Sequence, residues 1–166
     1  MHNLDFYSTL QDLLPLLSAA IIGLVIGLER GLSGKPASIR TFTLLCIGSA
    51  LFTKLSVDIA VSAVSGTEQA DIGRIASNIV TGVGFLGGGV IFKANNSIKG
   101  ITTGAVIWVT AAIGMACGFE RYSLAVFSLM LYLITMLCGL RMHRLVDPLA
   151  KPTGGSTRKV NKVRES

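Results

Sequence analysis

Five apolar runs, separated by short polar stretches, set the pattern of this chain. The first covers about 13–28 and lies between Asp12 and Glu29. The second, about 41–60, is uncharged from Thr41 to Thr53 and continues past Lys54. The third, about 75–92, falls between Arg74 and Lys93, and the last two, about 101–119 and 122–140, carry no charge. Crossing the ~30 Å hydrocarbon layer takes about 20 helical residues, with a working range of roughly 17 to 25. The last three runs meet that length. The first is slightly short, which sets Asp12 and Glu29 near the two interfaces. The second needs Lys54 within its final turns, its ammonium extended towards headgroups. Lipid admits only helices or closed barrels, and the alternation of barrel strands is absent. The pattern therefore predicts an all-α polytopic membrane protein, a bundle of five transmembrane helices within residues 1–150. A basic, disordered tail is expected over 151–166.

Composition agrees. Hydrophobic residues make up 51% of the 166 and charged residues 14%, where about 25% charged is typical of soluble proteins. The mean hydropathy is +0.63. A small soluble domain has too high a surface-to-volume ratio to hide that much apolar side chain. The net charge of +6 is unevenly spread. With the N-terminus outside and the C-terminus in the cytoplasm, only Lys54, Arg74 and Arg121 of the 15 Lys and Arg face outward. That is the arrangement the positive-inside rule selects. The opening MHNLDFYS has no Lys or Arg, unlike a signal peptide, so the first run is expected to stay as a helix. The stretch KPTGGSTRKVNKVRES reads as a solvated tail that reinforces this orientation, with anionic lipid as the alternative contact.

Glycine is the most conspicuous candidate for chemistry. Gly82-Val83-Gly84-Phe85-Leu86-Gly87 matches G-x-G-x-x-G, the turn that cradles dinucleotide phosphates. That turn must follow a strand, open a helix and precede an acid by about 20 residues. Here it sits inside an apolar run, and no Asp or Glu occurs from Gly82 to Phe119. GLSGKP (31–36) likewise lacks both the first glycine and the Ser/Thr of a P-loop. No nucleotide site is expected, and no nucleic-acid partner. In lipid, small residues four apart let helix backbones approach closely. Gly23/Gly27, Gly84/Gly88, Gly100/Gly104 and Gly114/Gly118 have that spacing. Three consecutive glycines, Gly87, Gly88 and Gly89, exceed what a contact needs. They leave open an unwound turn beside a polar cavity, as in broken-helix transporters.

Polar residues near the membrane edges form the second group of candidates. Glu29 follows the first run closely, and an ionised group there normally finds a partner. Arg40 opens the second helix, so a Glu29–Arg40 pair across the hairpin is expected, in either a structural or a functional role. Arg30 and Lys35 read as interfacial charges that fix topology. Asp71, Arg74 and Asn78 share one helical face, and Asn78 falls within the bilayer. Thr102 and Thr103 open the fourth helix, with Trp108 deeper as an interfacial anchor. His2 and His143 lie on opposite sides, and Cys46, Cys117 and Cys138 lack metal or disulfide spacing. Mg²⁺ prefers carboxylates and water. Glu29 and Asp71 are the acids placed for it, at opposite faces, so ligand spacing makes no Mg²⁺ site evident. No catalytic constellation appears, and no enzyme activity is expected.

GLERG…KPASIRT, RIASNIVTGVGFLGGGVIF and GITTGAVIWVTAAIGMACG together resemble the MgtC/SapB family of bacterial inner-membrane proteins over about residues 20–120. The resemblance implies a role in magnesium-limited growth and, in some pathogens, in virulence through survival inside macrophages. It also implies a non-enzymatic activity, as a transporter-associated protein or as a regulator of another membrane complex such as ATP synthase. It directs interest to Glu29, Arg30, Arg40, Thr41, Arg74, Gly84, Phe85, Gly87, Gly89, Thr102, Thr103 and Trp108. Asn78 stands where Gln is usual, Gly31 where an acid is common, and Gly104 where Ala is usual. The soluble C-terminal domain of longer relatives is expected to be absent. The function expected is support of divalent-cation homeostasis in the inner membrane, through contact with a second copy or another membrane protein. The alternative is a small cation channel or carrier lined by the glycine-rich third helix.

Overall fold

In the computed structural model the described residues are 2–35, 38–63, 72–94 and 97–146. They form five helices: α1 (His2–Leu32), α2 (Ile39–Ala63), α3 (Ile72–Gly89), α4 (Ile101–Gly118) and α5 (Tyr122–Val146). Between α3 and α4 lies a short antiparallel hairpin, β1 (Phe92–Ala94) with β2 (Ser97–Lys99), in the register Phe92↔Lys99, Lys93↔Ile98 and Ala94↔Ser97. The all-helical expectation holds, with this short hairpin as an addition that the sequence did not signal. The third helix accordingly stops at Gly89 rather than near residue 92. Asp71 and the 151–166 tail lie outside the described residues.

Among the described residues, four helical stretches are long and apolar enough to cross a membrane: Asp12–Leu32, Ile39–Val61, Ile101–Gly118 and Tyr122–Gly139. α3 has the length, at 18 residues, but Arg74, Asn78 and its glycines dilute its apolar character. Many large side chains on the spans point outward. Leu17, Ile21, Leu24 and Leu28 form an exposed row down α1, at the spacing of one helical face. Such a row would be costly in water and is at home against acyl chains.

The chain divides into two compact units, Met1–Met130 and Leu131–Ser166, with the boundary inside α5. In the first unit α2 packs against both α1 and α4, and α3 lies beside α2 and α4. Bare backbone makes these approaches. A Cβ on Gly23 would lie 2.7 Å from Thr43 Cα, and one on Gly27 would lie 2.6 Å from Ile39 Cα. On the other side of α2, a Cβ on Gly114 would overlap the Cys46 carbonyl oxygen, and one on Gly118 would lie 2.5 Å from that of Ala50. α3 and α4 meet at Gly87 and Gly104, where a Cβ on Gly104 would lie 2.8 Å from the Gly87 carbonyl oxygen. Hydroxyls in the α2–α4 seam are satisfied along their own helices. Thr53 donates to the Ser49 carbonyl at 2.8 Å and Thr110 to that of Val106 at 2.7 Å, which lets both be buried without cost to the ladder. Gly100 closes the hairpin at φ 90, and a Cβ there would overlap the Val90 carbonyl oxygen, so only glycine fits.

Candidate functional site

At one end of the bundle α1 stays helical through Leu32, so Glu29 belongs to its last turns rather than to the connection after it. The Glu29 carboxylate accepts a 2.9 Å hydrogen bond from the Ser33 hydroxyl and lies 3.9 Å from Arg30 Nη1. Arg30 is 2% exposed. Helical phase explains this: Gly23, Ile26, Gly27 and Arg30 fall on one face, the face that meets α2. Arg30, expected as an interfacial charge that fixes topology, is therefore the buried cation of this end. The ion pair found for Glu29 is with Arg30 instead of Arg40. Arg40 and Thr41 are exposed in the first turn of α2.

The other end holds a cluster that sequence reasoning missed. Lys54 Nζ lies 3.2 Å from Glu120 Oε1, 3.5 Å from Asp12 Oδ1 and 3.8 Å from Asp58 Oδ1. The Lys54 side chain is 17% exposed, while the three carboxylates are each at least half exposed. Rather than simply reaching for headgroups, the ammonium near the end of α2 gathers acids from α1, from its own next turn and from the α4–α5 turn. Two signals were present in the sequence. Asp58 follows Lys54 by four residues, and alternating spans bring residues 12, 54 and 120 to the same end. Among the described residues Glu120 is also the non-glycine residue with positive φ, at 59°.

The expected α3 site residues separate. Arg74 and Asn78 are exposed, as are Gly84, Phe85, Gly88 and Gly89, whereas Gly87 is buried against Gly104. Among the described residues nothing lies within 4 Å of a Cβ on Gly84 or Gly88, so this glycine pair makes no packing contact with them. The Gly87–Gly89 run is helical to its end. The unwound turn envisaged there does not form, because the chain leaves the helix only at Val90 and turns into the hairpin. A cleft of about 430 Å³ separates α3 from α2, lined by Leu45, Phe52, Asn78, Gly82 and Leu86 among others. A second, of about 280 Å³, is lined by Trp108 together with Val83, Ala112, Met115, Phe119 and Leu124. Trp108 is half exposed in the middle of α4, not at its end as an interfacial anchor would be. Thr103 is buried beside Gly104 and Thr102 is exposed.

Chemically, these residues offer a buried guanidinium beside a partly exposed carboxylate at one end and a carboxylate-ringed ammonium at the other. Among the described residues no group of three or more His, Cys, Asp or Glu is arranged to hold a metal ion. The three cysteines are free thiols, Cys46 and Cys117 buried and Cys138 exposed.

Comparison with known proteins gives these features a context. YhiD of Escherichia coli K12, whose name marks it as a candidate magnesium transporter, is 42% identical over 129 residues, which is 77% of this chain and 60% of YhiD. SapB of Bacillus subtilis is 38% identical over 135 residues, covering 80% of this chain and 58% of SapB. MgtC of Salmonella typhimurium is 32% identical over 151 residues, covering 91% of this chain and 62% of MgtC. The chain thus spans less than two thirds of the length of each of these relatives. No solved structure matches it. The family model described as the MgtC family matches residues 16–145, which takes in most of α1, all of α2, α3, the hairpin and α4, and nearly all of α5, so the chain belongs to the MgtC family.

Proposed function

We propose that this chain is a bacterial inner-membrane protein of magnesium homeostasis that acts without catalysis, as a regulator or partner of another membrane complex. The magnesium link rests on its relatives' names and on the family. The partner reading rests on one structural observation: the helices of the first unit close on each other backbone to backbone. Gly23 and Gly27 seal α1 to α2, Gly114 and Gly118 seal α4 to α2, and Gly104 seals α4 to α3. Two largely apolar clefts open laterally between helices, and the charged clusters lie at the ends. A protein built this way offers surfaces to neighbours in the membrane.

A small cation carrier is the second reading, favoured by Asn78 and Ser49, which bring an amide and a hydroxyl to the α2–α3 cleft. The rest of that lining is apolar, a poor replacement for a hydration shell. Reconstitution of the purified full chain in liposomes loaded with a magnesium-sensitive dye separates the two. The partner reading expects influx no faster than in protein-free liposomes under an imposed gradient. Saturable influx that scales with protein content would replace it with the carrier.

A further inference from the structure

One face of α3 carries a gradient of chemistry. Arg74, Asn78, Gly82 and Leu86 recur every four residues, so they form a row, descending about 6 Å per step. Arg74 and Asn78 are exposed, and Asn78, Gly82 and Leu86 line the α2–α3 cleft. The opposing wall includes Leu45, Gly48 and Phe52, which fall inside the membrane-length stretch Ile39–Val61. The cleft is therefore at membrane depth. It exists because side chains are missing from both walls: nothing lies within 4 Å of a Cβ on Gly48 or on Gly82. A recess of this apolar character does not hold ordered water, which needs two to four polar partners.

We propose that this row binds one phospholipid, with the phosphate on Arg74, the glycerol ester region at the Asn78 amide, and an acyl chain laid over Gly82 towards Leu86. The order along the face is guanidinium, amide, bare backbone and aliphatic side chain, which is the order of polarity along a phospholipid. The guanidinium presents paired donors to a phosphate, and the ion pairs among the described residues do not engage Arg74. A second copy of the chain fits the face less well. Two-fold symmetry about this row would set Arg74 against the same residue of its partner, and like charges in contact are unfavourable. The proposal does not rest on the partner reading, but a lipid chain seated over Gly82 would fill the cleft that the carrier reading needs.

Native mass spectrometry of the full chain in mild detergent tests it, with phosphatidylglycerol and a diacylglycerol of the same chains as probes. One phosphatidylglycerol should be retained per chain, and diacylglycerol about tenfold less, the equivalent of one charge-assisted hydrogen-bonded contact. Arg74→Gln should weaken phosphatidylglycerol retention by roughly fivefold to tenfold, and Arg74→Lys should restore most of it. Gly82→Leu should abolish retention of both lipids while leaving thermal unfolding intact, since the added side chain enters open space. Equal retention of the two lipids, or retention indifferent to Arg74→Gln and Gly82→Leu, would overturn the proposal. So would a disulfide-linked dimer formed in membranes by Gly82→Cys that added phosphatidylglycerol does not suppress.

Discussion

Glu120 is where backbone and charge pull in opposite directions, and the two can be separated by substitution. α4 ends with the Glu120 N–H donating to the Cys117 carbonyl at 2.8 Å and the Arg121 N–H donating to that of Ala116 at 2.8 Å. These are the paired bonds of a Schellman motif, whose left-handed position usually carries glycine. Here that position is Glu120, at φ 59, and a side chain in this conformation costs about 1 kcal/mol. The carboxylate is half exposed, and two further acids remain beside Lys54. Its pairing should therefore contribute only about 0.5 kcal/mol after solvent screening. Glu120→Gln removes the charge and keeps the strain, so it should destabilise by about 0.5 kcal/mol. Glu120→Gly loses the same charge and relieves the strain, so it should stabilise by about 0.5 kcal/mol net. Thermal unfolding of the detergent-solubilised protein should then rank glycine above wild type above glutamine. Raising the salt concentration should shrink the gap between wild type and glutamine and leave the gap between the two variants unchanged. If glycine at 120 is less stable than glutamine, the reasoning fails, and the turn depends on Glu120 for more than its pairing with Lys54.

The glycines should divide by their surroundings in the same unfolding assay. Gly114→Ala and Gly118→Ala should each destabilise by about 1–3 kcal/mol through overpacking against the α2 backbone. Gly88→Ala, on an open face, should be neutral or stabilise by up to about 1 kcal/mol through helix propensity. A uniform response would show that the close contacts are not the determinants. At the Glu29 end, Glu29→Gln removes a partly exposed carboxylate beside a buried guanidinium and should destabilise by about 1 kcal/mol, lowering membrane abundance on an immunoblot. Arg40→Gln should leave abundance unchanged. Equal losses from both would restore the cross-hairpin pair that the sequence suggested.

What the sequence determined by itself was everything governed by the solvent and by local chain chemistry. Uninterrupted apolar runs specify membrane-length helices because unpaired peptide groups have no place in hydrocarbon. Gly23/Gly27 and Gly114/Gly118 announced close packing because four-residue spacing keeps bare backbone on one face. The motif order from GLERG to GITTGAVIW placed the chain in its family. Tertiary structure decided which charges meet. Arg30 instead of Arg40 accompanies Glu29 because one more helical turn of α1 rotates residue 30 into the α2 face. Lys54 gathers Asp12, Asp58 and Glu120 because three elements converge at that end, a convergence written in no single stretch of sequence. Gly84/Gly88 show the same limit in reverse. They share the spacing of the packed pairs yet face outward, because a periodic pattern records that a face exists and only the assembled bundle assigns it a neighbour.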